Sequence, residues 1–195
     1  MNSHIEEYLE IIETEKLHKV CKEQKQLAKM IRRIFEDEKD NLYVDEVRLE
    51  KYLSYQKYFP YPLFPWEVFL LTLMLCTFYK DNGLPRFDTL FCLVGRGSGK
   101  NYLISFLTFC LATETNNVNN YDIFIVANSE EQAKTSFMDI YDILNKPELK
   151  GKMKKNFRWN REEIRNLKTN SVIKYKTSNA KSQDGLRPGA VVYDE

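Results

Sequence analysis

The sequence has no apolar run of membrane-spanning length. Its longest, VFLLTLMLCTFY from Val68 to Tyr79, is about 12 residues, against the roughly 20 that a spanning helix needs. It has no CxxC pair either: Cys21, Cys76, Cys92 and Cys110 are scattered without metal-ligand spacing. That pattern leaves them as small apolar residues of a reducing compartment. The acidic start, MNSHIEEYLE, lacks the basic-then-apolar order of a secretory signal, so the expected location is the cytoplasm. Histidine is almost absent, and both residues, His4 and His18, fall on a charged N-terminal segment as expected surface groups. With a net charge of +1, composition argues neither for nor against a polyanionic partner. There is no internal repeat and no low-complexity tract.

What is present is an ordinary globular balance, 43% hydrophobic and 29% charged over 195 residues, enough for one substantial core or for a domain with an appendage. Residues 2 to about 39 are rich in helix formers and free of Pro and Gly. Ile5, Leu9 and Ile12, then Val20, Leu27, Ile31, Ile34 and Phe35, make a helical stripe. Asp45 is placed to cap a further helix, VRLEKYLSYQKYF, ending before Pro60. The proline-rich YFPYPLFPWE reads as an extended linker, dividing a helical lead-in over residues 1–60 from a core over 61–195.

From Pro65 onward the sequence alternates. Trp66 to Tyr79 suits a buried helix, and DNGLP a turn. DTLFCLV (Asp88 to Val94) reads as a short strand, Lys100 to Ala112 as a helix, and YDIFIVA as the continuous apolar strand of a covered parallel sheet. Ser129 or Asn128 caps the next helix. EEIRNLKTNSVIKYKTS reads as a hairpin turning at Thr169-Asn170, and AVVY (Ala190 to Tyr193) as a final strand. This order implies an α/β fold, a mainly parallel sheet covered by helices, with ligands at the strand C-termini.

Two short stretches carry chemistry. LVGRGSGKN, Leu93 to Asn101, has the glycine spacing of a phosphate loop but departs from G-x-x-x-x-G-K-[ST]. Val94 stands at the first glycine and Asn101 at the magnesium-binding hydroxyl. Gly95, Gly97 and Gly99 with Ser98 let backbone N–H groups wrap a polyphosphate at a helix start. Lys100 reaches the β and γ phosphates, and Arg96 adds a second cation. The other reading is a plain turn into a helix. The second stretch is AVVYDE. An apolar strand ending in acids suits magnesium-dependent hydrolysis, with Asp194 holding the metal and Glu195 activating water. Asn101 offers the metal a neutral carbonyl oxygen, or simply favours the helix start. Each stretch alone is weak; about 95 residues apart on separate strands, they support one another.

GRGSGKN, ANSEEQAKTSF and SNAKSQDGLRPGAVVYDE together resemble the ATPase domain of the large terminase subunit of tailed bacteriophages. HKVCKEQKQLAKMI, NLYVDEVRLEKYLSYQKYF and PLFPWEVF look like that family's helical lead-in. The resemblance implies a P-loop NTPase fold of the additional-strand, RecA-like type, with ATP and Mg2+ as cofactors. It implies a motor that hydrolyses ATP to translocate double-stranded DNA into a procapsid in the bacterial host cytoplasm. The partners it implies are a small terminase subunit, a portal and a homo-oligomeric ring. Family loops carry an internal arginine, which makes Arg96 an in-cis cation on the γ phosphate. Where the family has Pro-Trp-Gln reading adenine, this chain has Pro65, Trp66 and Glu67. Glu67 either accepts from the adenine amino group or is an exposed glutamate at a helix start.

The family continues past the position of Glu195 with a coupling motif, further strands and a nuclease domain. The expectation is therefore a partial ATPase domain with the nuclease absent, as a fragment or an early-ended frame, with an unpaired edge at Ala190 to Tyr193. Two rival readings stand: a helicase-like or partitioning P-loop ATPase, and a catalytically silent nucleotide-binding chain. Lys146 to Arg165 holds eight basic and three acidic residues around Phe157 and Trp159. It reads either as a DNA-gripping surface or as a solvated loop pinned by its aromatics.

Overall fold

The computed structural model describes residues 1–15, 19–178 and 187–194. It resolves into two compact units, residues 1–53 with 62–93 and residues 54–61 with 94–195. This division differs from one at residue 60: the segment 62–93 packs with the N-terminal helices.

In the first unit the helix-forming N-terminus becomes two helices, α1 (Ser3–Thr14) and α2 (Lys22–Asp37). Asn2 caps α1 through its side-chain oxygen, and Glu15 leaves it in a left-handed conformation at φ 50°. The cysteine expected to be a buried apolar residue, Cys21, is instead exposed and caps α2, its backbone N–H donating to Gln24 Oε1 at 3.0 Å. Cys76 and Cys110 are buried as expected, and burial pushes the Cys76 thiol up to about 12. His4 is exposed, while His18 lies outside the described residues. Asp45 caps α3 (Glu46–Leu53), its Oδ1 accepting from Arg48 N at 2.9 Å.

The apolar segment forms α4 (Pro65–Cys76), but its last three residues leave the helix as strand β2 (Thr77–Tyr79), antiparallel to β1 (Leu42–Val44). Pairing with a segment over 30 residues away overrides the local pattern, as the β-branched and aromatic residues there allow. Ile5, Leu9, Ile12, Ala28, Ile31, Phe69 and Leu73 form this unit's core. The Arg86 guanidinium binds Glu38 in a fork at 2.7 and 2.8 Å and holds that carboxylate below its usual range.

In the second unit, the linker is more than a tether. After a 3-10 turn (Ser54–Tyr58), Phe59 is buried against Phe106 and Phe109 with ring centroids 4.9 and 5.6 Å away. The sheet runs in the order β4 (Phe157–Trp159), β5 (Glu163–Asn166), β6 (Val172–Thr177), β3 (Ile123–Ala127), β7 (Ala190–Tyr193). Strands β6, β3 and β7 are parallel, and β4–β5–β6 add an antiparallel extension turning at Asn170, whose φ is 58°. All five residues of β3 are buried, which accounts for its unbroken apolar sequence. Helices α5 (Lys100–Ala112) and α6 (Glu130–Asn145) pack on each other and on β3 and β6. Ser129 caps α6 by accepting from Gln132 N. The short α7 (Pro147–Met153) follows.

The expected strand over Asp88 to Val94 does not form. Residues 87–95 have no regular structure, and Phe91 and Leu93 are 89% and 87% exposed. An apolar run becomes a strand only where a neighbour completes its hydrogen bonds, and no ladder reaches this segment. β7 is an edge strand of the sheet, with Tyr193 71% exposed.

β7 is seated by Gly189, whose N–H donates to the Asp122 carbonyl at 2.8 Å. A Cβ there would clash with the Tyr121 ring. Gly189→Ala is therefore expected to destabilise the chain by about 1–3 kcal/mol, the usual cost of overpacking, read as a lower urea midpoint. An unchanged midpoint would show that the ring moves aside freely.

Candidate functional site

The glycine loop enters α5 through two residues at positive φ, Gly97 at 80° and Gly99 at 93°, a conformation that disfavours any side chain. Gly99 is the helix N-cap and Lys100 its first residue. Ser98 N donates to the Gly95 carbonyl at 3.3 Å; among the described residues, the N–H groups of Gly97 and Gly99 reach no backbone carbonyl. Ser98 Oγ is buried with no partner among them. A loop with unspent donors at a helix start is an anion cradle.

Parallel pairing of β7 with β3 delivers the acid. Val126 is opposite Tyr193, and Asp194 N donates to the Val126 carbonyl at 2.8 Å, one step beyond the ladder. The Asp194 side chain is 7% exposed and its Oδ1 lies 3.5 Å from Lys100 Nζ. The loop, the start of α5 and Asp194 line one cavity of about 460 Å³, whose walls include Arg96, Lys100, Asn101 and Tyr102. That volume is in the range of small-ligand sites.

The structure thus brings together Gly95, Arg96, Gly97, Gly99, Lys100, Asn101 and Asp194. Glu195 lies outside the described residues. Trp66 and Glu67 belong to the other unit. Trp66 is half-buried there, and Glu67 is 0% exposed, so the exposed helix-start glutamate is corrected. Glu67 Oε2 accepts from Phe64 N at 2.8 Å, closing the start of α4, while Oε1 is buried with no partner among the described residues. Burial raises its carboxyl above the ordinary value, only partly offset by that hydrogen bond.

Gln132 and Thr135 of α6 also line the cavity, and reasoning from the two short stretches missed them. They sit three residues apart in ANSEEQAKTSF, so helical spacing on one face was the available signal. The Ser129 hydroxyl lies 3.3 Å from Gln132 Oε1, and Thr135 Oγ1 donates to the Glu131 carbonyl at 3.0 Å. Behind them, the buried Ser105 hydroxyl of α5 lies 2.8 Å from the Asn101 carbonyl and 3.1 Å from Asp139 Oδ2. Desolvation pushes the Asp139 carboxyl up.

The donor set suits a magnesium polyphosphate. Two cations face one acid, leaving positive charge for an anion. Among the described residues no three His, Cys, Asp or Glu gather as a metal cage.

The model of the terminase large subunit ATPase domain matches residues 65–195. The chain belongs to the terminase large subunit family. Its fold is similar to that of the large terminase of bacteriophage HK97, with a TM-score of 0.61 at 21% identity over 78% of this chain and 31% of that one. Its P-loop-type α/β fold stands beside a helical N-terminal region, and the chain spans about a third of that terminase's length. No curated protein matches it. Among the described residues no helix is long and apolar enough to cross a membrane.

Burial of Glu67 has a pH consequence. Its folded pKa is raised, so the native state holds its proton more tightly than the unfolded chain, and stability is lost as pH rises from the ordinary carboxylate value up through the raised folded one. Urea unfolding of wild type and Glu67→Gln at about pH 4 and pH 7.5 should show wild type losing ground to the variant as pH rises. A difference independent of pH would place the Glu67 carboxyl at its ordinary value.

Proposed function

We propose that this chain carries the nucleotide-binding front of an ATP-driven DNA-packaging motor. The observation that carries the reading is the meeting of Lys100 with Asp194 across one cavity, 3.5 Å apart and on separate elements. The family match to the ATPase domain supports it. In this reading Gly95, Gly97, Ser98 and Gly99 cradle the phosphates of ATP, and Lys100 and Arg96 neutralise them. Asp194, with Asn101 as a neutral oxygen donor, holds Mg2+, which when bound draws charge from the transferring phosphoryl group. Glu195 takes the proton of the attacking water. By the family resemblance Trp66 and Glu67 are the candidates for base recognition; Glu67 itself is buried within the first unit.

The proposed division, a helical lead-in over 1–60 and a partial ATPase domain over 61–195, is one of sequence, supported by a family match that begins at residue 65; in the compact units, 62–93 goes with the lead-in and 54–61 with the rest of the ATPase domain. Translocation of double-stranded DNA into a procapsid belongs to the whole assembly: a homo-oligomeric ring with a small terminase subunit and a portal in the bacterial host cytoplasm. A helicase-like or partitioning ATPase would share the loop and the acid, but the family match favours the terminase reading.

Titration with a fluorescent ATP analogue, with and without Mg2+, tests the site. Lys100→Ala should weaken binding at least about tenfold, the scale of one lost charge-assisted contact, and Asp194→Asn should remove the magnesium dependence. A folded chain that binds equally well without Mg2+ and with Lys100→Ala would sink the assignment.

A further inference from the structure

The net charge of +1 conceals a separation. Residues 1–53 and 62–93 hold 12 Lys and Arg against 16 Asp and Glu, whereas residues 54–61 and 94–195 hold 17 against 12. The excess is concentrated. From Lys150 to Arg161 the sequence KGKMKKNFRWNR has six cations and no acid. Lys150, Lys152, Lys154, Lys155, Arg158 and Arg161 are all exposed, and none forms an ion pair among the described residues. Elsewhere in this unit Lys100, Arg165, Lys168 and Lys174 each face an acid.

This run is held in place. Met153 and Phe157 are each 5% exposed, and the Phe157 ring lies 5.7 Å from that of Phe109. On β4, Phe157 points inward and Arg158 outward. Past Trp159, Asn160 Oδ1 accepts from the N–H groups of Glu162 and Glu163 at 2.8 Å, fixing the turn into β5. The cations therefore stand along a ledge made of α7, edge strand β4 and the turns that follow each.

We propose that the α7–β4 ledge is a contact surface for the phosphate backbone of duplex DNA; this rests on the packaging-motor reading above. A lipid surface fits poorly, since from Pro147 to Leu167 a single large apolar side chain, Leu167, is exposed, whereas interfacial binding needs an apolar face. Single strands fit poorly too: they are gripped by exposed aromatics that stack on bases, and Phe157 is buried with Trp159 half-buried. Unpaired Lys and Arg without a base-reading array match sequence-independent backbone binding.

The test measures anisotropy of a labelled random-sequence duplex of roughly 30 base pairs, a length giving several phosphate contacts, as salt is varied. Wild type is compared with a patch variant (Lys152→Gln, Lys154→Gln, Lys155→Gln, Arg158→Gln) and a control from the other unit (Lys19→Gln, Lys22→Gln, Lys29→Gln, Lys39→Gln). The patch variant should bind about 10–100-fold more weakly at low salt, with its log–log salt slope reduced by about 3 to 4, near 0.9 per lost contact. The control should differ little from wild type. Should the fourfold variant fail to fold, the four single variants replace it, each expected to lower the slope by about 1. Patch and control behaving alike would overturn the proposal and leave these residues as guards of an edge strand. Tighter binding of RNA of equal length would overturn duplex DNA as the partner. ATP-analogue binding, measured in parallel, separates the two readings. Its retention without duplex binding sinks the ledge alone, and its loss with duplex binding intact sinks the nucleotide site.

Discussion

Strand β3 must satisfy its backbone hydrogen bonds on both sides while all five of its residues are buried, and the second unit depends on that constraint. An unpaired buried amide costs on the order of 1–3 kcal/mol, so β3 needs a neighbour at each edge. It finds β6 on one side and β7 on the other, both parallel to it. The second pairing carries Asp194 one step past the ladder to the glycine loop. The site is thus a consequence of how the parallel part of the sheet assembles around its middle strand.

Charge is arranged as economically as backbone. Lys100 and Asp194 satisfy one another in the cavity, while Arg96 remains exposed at its rim with no ion pair among the described residues. A polyphosphate would enter a site already carrying surplus positive charge. In the first unit the acids are paired locally instead: Arg86 with Glu38, and Arg32 with Glu6 and Glu13. Glu67 is a different case, a carboxyl group buried at a helix start, with one oxygen unpartnered among the described residues. Polar groups kept buried and half-satisfied are costly, and here the group stands beside Trp66 at the position where the family resemblance puts base recognition.

The parallel core, the caps at Asp45 and Ser129, the hairpin at Asn170 and α5 were legible because each rests on short-range chemistry: apolar continuity, a side-chain acceptor, a left-handed turn residue. DTLFCLV misled for the same reason. Its pattern is that of a strand, but a ladder partner is not encoded in the segment itself. The last turn of the helix expected to run to Tyr79 was lost to pairing with Leu42–Val44, a contact that local pattern cannot reveal. Phe59 looked like linker and proved to be core, since proline content reports backbone conformation and not packing.

The sequence by itself determined the local chemistry: GRGSGKN as a loop with positive-φ glycines ahead of a helix, AVVYD as a strand ending in an acid, and the family to which the chain belongs. Only the tertiary structure decided that Asp194 faces Lys100, that Gln132 and Thr135 share their cavity, that Glu67 is buried, and that the cations from Lys150 to Arg161 stand unpaired on one ledge. Backbone conformation follows from neighbours in the chain. Proximity, burial and the pairing of charges follow from which surfaces meet when the sheet is assembled.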